Sequence, residues 1–500
     1  MKHLGRRGFL RTACAAPLLG QAGAFSSGSP GSSASSRSLG SPGSGGALGS
    51  PRPTDIRVES VSTHYQEYVL RTPFEFGGRV VRKSTVLTVD CAVRTVDGRA
   101  GRGSGSMLLG NVWSFPSATM SYETTLGAMQ ALAERLGKAT AAYGEAGHPI
   151  DINRALEPAY LGAAAGVSKE LRLAEPIPKL CVLVTASAFD AAVHDAFGKV
   201  HGLNSYRTCG PDFMSHDLGY YLGPEFAGER LDRYILQVPV ARLPVYHTVG
   251  ALDPMGAADV RQRVDDGLPE TLPEWIRFNG LTHFKIKLNG DDMGWDVERV
   301  LGVGRVAEET GAGRHAGPWV LSLDFNERCA NVGYLLDFLH RVKEKSALVY
   351  DRLQYIEQPT ARDLEAHPEN VMHEAAKLKP VVIDESLTGL DRLLLARRMG
   401  YTGVALKACK GQSQSLLLAA AGQKYKMFLC VQDLTCPGAA LIESAALAAH
   451  VPGVAAIEAN ARQFIPAANA GWEKKFPGIF HITDGTMDTR ALNGPGLGAG

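Results

Sequence analysis

Six segments of this chain end an apolar run on charged or polar residues. They are FKIKL (Lys285, Lys287), LSLDFNE (Asp324, Asn326, Glu327), YIEQP (Glu357), VVIDES (Asp384, Glu385), VALKACK (Lys407, Lys410) and FLCVQD (Gln432, Asp433). A short continuous apolar run reads as a strand buried on both faces. A charge at its last position is costly unless that end faces a polar site. Repeated at successive strand ends, the pattern implies that the ends converge. In a barrel of parallel strands they converge on the C-terminal mouth, where active sites are built.

Asp324, Glu357 and Asp384 end three consecutive candidate strands. Neighbouring strands lie about 4.8 Å apart, so three carboxylates in register can surround one cation. Any one of them alone reads equally as a solvated strand-end acid or a helix cap; the three together point to a metal. All-oxygen ligation selects a hard divalent ion, Mg²⁺ or else Mn²⁺, with open positions left for substrate oxygens. Glu385 follows Asp384 directly, so strand alternation turns it to the opposite face, and it stands as the rival ligand.

Lys285 and Lys287 are two residues apart and face the same way. Lys407 ends a strand on the far side of the acids, and Lys410 falls at or near the start of the next helix. A lone strand-end lysine is usually a solvated charge. Amines flanking a cation and partly desolvated are expected to have lowered pKa values and to serve as general bases.

These strands need a frame. Candidate strands end near His247, Lys287, Asp324, Glu357, Asp384, Lys407, Gln432 and Glu458, at intervals of a strand, a helix and two loops. The stretches between, such as VGYLLDFLHRVKEK, DRLLLARRMG and SLLLAAAGQKY, have helical spacing. Eight such units make a closed (β/α)₈ barrel. Upstream, IRVESVSTHYQEYVL and STVLTVDCAVRTVDGRAG read as strands, the second closing on an Asp97-Gly98 turn. YETTLGAMQALAERLGKATAAYGEAG and CVLVTASAFDAAVHDAFGKVHG read as helices, the second capped at Gly202. The fold class is α/β: an α+β capping domain over 54–235, completed by 485–500, and a barrel over 236–484.

The 500 residues are 45% hydrophobic and 21% charged, with a net charge of +1. Such a balance gives no support for a nucleic-acid partner. No apolar run reads as a membrane span of roughly 20 residues. Residues 1–25 carry Arg6, Arg7, Phe9 and Leu10 and then small apolar residues, an order that resembles a twin-arginine export signal. It implies a periplasmic or exported protein. Residues 26–53 are almost all Ser, Gly and Pro and read as a disordered linker. The seven later cysteines have neither zinc nor disulfide spacing and read as small buried hydrophobes.

The ordered motifs K-I-K, D-F-N, I-E-Q-P, I-D-E-S and L-K-x-x-K resemble the enolase superfamily. Within it they are most similar to the muconate lactonizing enzyme subgroup of the mandelate racemase/muconate lactonizing enzyme family. The resemblance runs from about residue 55 onward. It implies Mg²⁺ at Asp324, Glu357 and Asp384, and removal of the proton α to a substrate carboxylate through an enediolate. It makes Lys287 and Lys407 the acid/base pair, with Lys285 assisting and Asn326 and Glu385 supporting. It assigns specificity to loops near Thr72–Arg79 and Gly110–Ser117. Lys410, Asp433 and Glu458 join the set as supporting or substrate-binding residues. The resemblance also has departures. Dipeptide epimerases of this subgroup show D-x-D after the eighth strand, where this chain has Glu458-Ala459-Asn460. Gln432–Pro437 is unlike the usual seventh-strand ending.

The opposed lysines favour a racemase or epimerase acting on a small carboxylic acid or amino-acid derivative. A cycloisomerase or syn-dehydratase using the same site is the first alternative. An exported binding protein that lost catalysis is the second. Homo-oligomerisation and substrate identity stay open.

Overall fold

A computed structural model describes residues 51–76, 78–313 and 317–499. Residues 1–50, which hold the segment read as an export signal and most of the expected linker, lie outside them. The described part opens with a three-stranded antiparallel sheet: β1 (Ile56–Phe76), β2 (Arg79–Thr95) and β3 (Ala100–Leu108), in the order β1-β2-β3. β2 turns into β3 through Gly98, whose φ of 97° is the left-handed conformation a tight turn needs.

Three long helices follow at Tyr122–Ala142, Pro149–Glu170 and Lys179–His201. Ser121 caps the first through Thr124 N, and Gly202, at φ 66°, ends the third. The third helix and the glycine row of β3 fit one another. A Cβ on Gly103 would sit 2.1 Å from Ala196 N, and one on Gly105 would sit 2.1 Å from Ala188 O. Only glycine lets this helix lie directly on the sheet. The helix is also long and apolar enough to cross a membrane, against the reading that no segment is; 89% of its apolar window is buried inside the protein. Here it is the core helix of the cap.

Eight parallel strands then close into a barrel: β4 (Arg242–Val249), β5 (His283–Lys287), β6 (Val320–Asp324), β7 (Leu353–Glu357), β8 (Val381–Ile383), β9 (Gly403–Leu406), β10 (Phe428–Val431) and β11 (Val454–Glu458). β11 pairs with β4 to complete the ring. Helices at Val332–Lys345, Leu390–Arg398, Gln412–Lys424 and Ala439–His450 alternate with strands, as their spacing predicts. The ninth member of the sheet, β12 (Thr486–Asp488), runs antiparallel beside β4.

The segment after β12 returns to the cap. Leu497 N donates to Asp195 Oδ1 (3.0 Å), and Ser205 N donates to Gly496 O (2.7 Å). Asn204 Nδ2 reaches Leu492 O and Gly494 O, both at 2.9 Å.

Candidate active site

Register places the acids. Lys287 pairs with Asp324 and Asp324 with Glu357 across β5, β6 and β7. Asp384 and Lys407 stand one residue beyond the ends of β8 and β9. All sequence-predicted site residues, Lys285, Lys287, Asp324, Asn326, Glu357, Asp384, Glu385, Lys407, Lys410, Asp433 and Glu458, are buried. All belong to one cluster at or just inside the mouth.

Lys285 is the hub. Its Nζ lies 3.0 Å from Glu357 Oε1, 3.0 Å from Gln432 Oε1, 2.9 Å from Glu458 Oε2 and 3.1 Å from Asp324 Oδ2. Lys287 Nζ donates to Asp324 Oδ2 (2.5 Å). Across the ring, Lys407 Nζ is 2.7 Å from Asp384 Oδ2, an ion pair without hydrogen-bond alignment. Lys410 Nζ donates to Asp384 Oδ1 (3.1 Å) and to its carbonyl (2.5 Å).

This geometry corrects two sequence expectations. Glu385 does not turn away. β8 stops at Ile383, so strand alternation no longer governs residue 385. Its Oε1 accepts from Trp113 Nε1 (2.9 Å) and Asn326 Nδ2 (3.1 Å) within the site. Nor are the lysine pKa values lowered where a shift is resolved. Burial pulls Lys285 and Lys407 down, but the carboxylates touching them outweigh it and hold both above the usual lysine range. A base role for such an amine requires another cation to take up those carboxylates.

Among the described residues, no three His, Cys, Asp or Glu side chains already have metal-site spacing. Each of the three acids is instead turned to a lysine, or to two. The donor set nonetheless fits a hard divalent cation. Asp384 Oδ2, Glu385 Oε2 and Asn326 Oδ1 are buried acceptors with no hydrogen-bond donor. Fully ionised, the six carboxylates Asp324, Glu357, Asp384, Glu385, Asp433 and Glu458 face four ammonium groups, Lys285, Lys287, Lys407 and Lys410. Two negative charges are left over. Burial first, and then neighbouring acids, push Glu357 well above the carboxylate range, Glu385 to about 7 and Asp433 to about 8. Against that same burial, the lysines hold Asp324 and Asp384 low.

Sequence reasoning missed several contributors. Gln358, at φ 30°, accepts from Asp384 N (3.1 Å) and Ser386 N (3.2 Å), so it shapes the turn that presents Asp384. Its place in I-E-Q-P was the available signal. Gln432, marked in the sequence as a strand end but given no role there, links Lys285 to Glu357 by accepting from one and donating to the other. Trp113, from the cap, had only its place in the Gly110–Ser117 loop to mark it. Its ring lies 4.3 Å from Lys407 Nζ, close enough for a cation–π contact. Arg362, paired with Glu327, donates to Trp113 O (3.2 Å). Phe76 approaches Lys287 Nζ at 5.9 Å. The cap thus closes on the barrel and leaves a cavity of about 60 Å³ between Phe74, Phe76 and Trp113 on one side and Lys287, Lys407, Asp433 and Glu458 on the other.

A family model described as "Enolase C-terminal domain-like" matches residues 268–500. That part of the chain belongs to this family. No curated protein sequence matches the chain. Among solved structures, the dipeptide epimerase of Enterococcus faecalis V583, complexed with Mg and L-Leu-L-Tyr, is similar at TM-score 0.56. It is 15% identical, over 88% of this chain and 99% of the other. The N-succinyl Arg/Lys racemase of Bacillus cereus ATCC 14579 gives 0.56 at 17% identity, over 88% and 95%. Muconate lactonizing enzyme from Pseudomonas fluorescens, complexed with muconolactone, gives 0.54 at 16%, over 88% and 96%. At these identities the likeness establishes a shared fold, cap included, and the chemistry has to be argued from the site.

Proposed function

We propose that this protein is a Mg²⁺-dependent enzyme that removes the proton α to the carboxylate of a small molecule, and that it is a racemase or epimerase. One observation carries this reading. Lys287 and Lys407 stand at the ends of β5 and just past β9, four strands apart in a ring of eight, with Asp324, Glu357 and Asp384 on the strands between. A substrate held above the acids therefore presents one face to each amine. Asp324, Glu357 and Asp384 would hold the metal, Mg²⁺ or Mn²⁺, with Glu385 as the rival ligand. The metal supplies positive charge to orient the carboxylate and to offset the negative charge that develops as the α-proton leaves. Lys287 takes or returns that proton on one face and Lys407 on the other. Lys285, bound to three carboxylates and an amide oxygen, fixes Asp324 and Glu357 in place and keeps positive charge beneath the site. Asn326 supports Glu385, and the cap loops exclude water.

Glu458 bears on the substrate. Its Oε2 is taken by Lys285, and its Oε1 accepts from Thr248 Oγ1 (2.9 Å). A carboxylate so engaged is a poor seat for a substrate ammonium, which weighs against dipeptides. A cycloisomerase or syn-dehydratase remains the second reading. It is favoured by the hold of Asp384 on Lys407, beside Lys410 and under Trp113, which suits an amine that keeps its charge.

A screen of N-acylated amino acids, dipeptides and sugar acids with Mg²⁺ in D₂O tests the reaction class. Deuterium should enter at the α-carbon of both enantiomers of a turned-over acid. Product with deuterium in only one configuration, or loss of water, selects the second reading.

We also propose export through the Arg6–Arg7 signal. Its support is the sequence alone. Changing both arginines to lysine should leave the protein in the cytoplasm; unchanged export of that variant removes the proposal.

A further inference from the structure

The catalytic cavity has two unlike halves. The barrel half carries the acids and lysines of the mouth. The cap half, joined by Leu434 from the loop after β10, is apolar: Leu70, Phe74, Phe76, Leu108 and Leu109 line it. All of these but Phe76 and Leu434 are buried. Phe74 packs on both Phe76 and Phe464, with ring centroids 5.4 Å and 4.5 Å away. Gly110 lets the cap loop come down on Leu434: a Cβ there would stand 2.5 Å from Leu434 Cδ2. The apolar wall is therefore already assembled. A hydrocarbon group placed against it leaves water at a gain.

A second charge on the substrate would find no such reception. The charged residues that line the cavity are Lys83, Lys287, Lys407, Asp433 and Glu458. Lys287 and Lys407 face the α-carbon in the proposed reaction. The other three are already paired. Asp433 accepts a backbone N–H at each oxygen, from Thr435 (3.2 Å) and from Cys436 (3.3 Å). Glu458 has Lys285 on Oε2 and Thr248 on Oε1. Lys83, whose side chain is 40% exposed, lies 3.1 Å from Glu67 Oε2. An ammonium or a far carboxylate would have to compete with one of these bonds or lie unpaired against the apolar wall, which is costly. Asn460 turns Nδ2 to Glu458 Oε1 (3.4 Å) and leaves Oδ1 a buried acceptor with no donor. That oxygen suits a neutral N–H or O–H.

We propose that the substrate's carboxylate is its only charge, and that its larger substituent is a hydrocarbon chain or ring seated against Phe74, Phe76 and Leu434. This rests on the function proposed above, and deepens it to a class of substrate.

Calorimetry with three carboxylates of nearly equal size tests it: 3-methylbutanoate, succinate and 4-aminobutanoate. Each is titrated with and without Mg²⁺, so that failure of the metal site, which would sink the proposed function, is read separately from the preference among acids. 3-Methylbutanoate should bind the wild-type protein tighter than either of the others by roughly 10-fold or more. Val81→Lys, at a part-buried position on the cap side of the cavity, should narrow the preference over succinate by roughly 10-fold. Succinate binding as tightly would show Lys83 reading a second carboxylate, and 4-aminobutanoate binding as tightly would show the barrel acids seating an ammonium; either overturns the proposal. So does absence of 3-methylbutanoate binding in both conditions, or an unchanged preference in the folded variant. The wild-type ratios decide if the variant fails to fold. Deuterium exchange confined to doubly charged acids would keep the reaction and overturn this inference. The expected preference without exchange in any acid would sink the reaction alone.

Discussion

Lys407→Ala should still exchange the α-proton of one substrate enantiomer with deuterium while losing turnover to the other, and Lys287→Ala should do the reverse. Each lysine reaches one face of a substrate bound above the acids, because β5 and β9 are diametric in the ring. Loss of a positioned general base typically lowers the affected proton transfer by about 10²–10⁴-fold. The unaffected half-reaction should fall far less. Enantiomer-resolved NMR in D₂O, on a substrate found by the screen, gives both rates at once. If each variant loses exchange of both enantiomers equally while still binding Mg²⁺ and substrate, the two-base model fails and the one-base cycloisomerase or dehydratase gains.

Asp384→Asn should weaken Mg²⁺ binding by at least the roughly 10–100-fold caused by losing even a partner of a metal ligand, and abolish activity. The Asp384 carboxylate is one of the two acids that the lysines hold ionised in the cluster. Its removal also strips Lys407 and Lys410 of their common counter-ion. Breaking a buried pair costs about 3–5 kcal/mol, so the melting temperature should fall as well. Glu385→Gln is the companion. It keeps an oxygen for Trp113 and Asn326, and its effect on Mg²⁺ should be the smaller. Undiminished Mg²⁺ affinity in Asp384→Asn, with loss in Glu385→Gln, would transfer the ligand role to Glu385.

The barrel was legible because a strand buried on both faces has a plain signature, an apolar run that stops at a charge. Those stops also located Asp324, Glu357, Asp384 and the lysines. β3 was not marked in the sequence: its glycines, Gly101, Gly103 and Gly105, offer no apolar run, and only the helix pressed against them explains them. The direction of Glu385 was misread because strand alternation was carried past the last paired residue. The lysine protonation was misread because sequence spacing does not say which amine touches which acid. Trp113 and Gln358 act through contacts between distant segments, or through a left-handed turn, and a linear pattern records neither.

The seating of Gly496 and Leu497 on the Lys179–His201 helix has a consequence for timing. The sheet of the cap is made early in synthesis, but the residues that fasten this helix to the end of the chain are made some three hundred positions later. At roughly 5–20 residues per second, the cap waits on the order of tens of seconds for its last contacts. Through that interval the whole barrel is threaded between the cap's two parts. A nascent chain stalled before Leu497 should therefore hold a cap more open to protease than the finished protein's, with the lysines and acids of the mouth still wet.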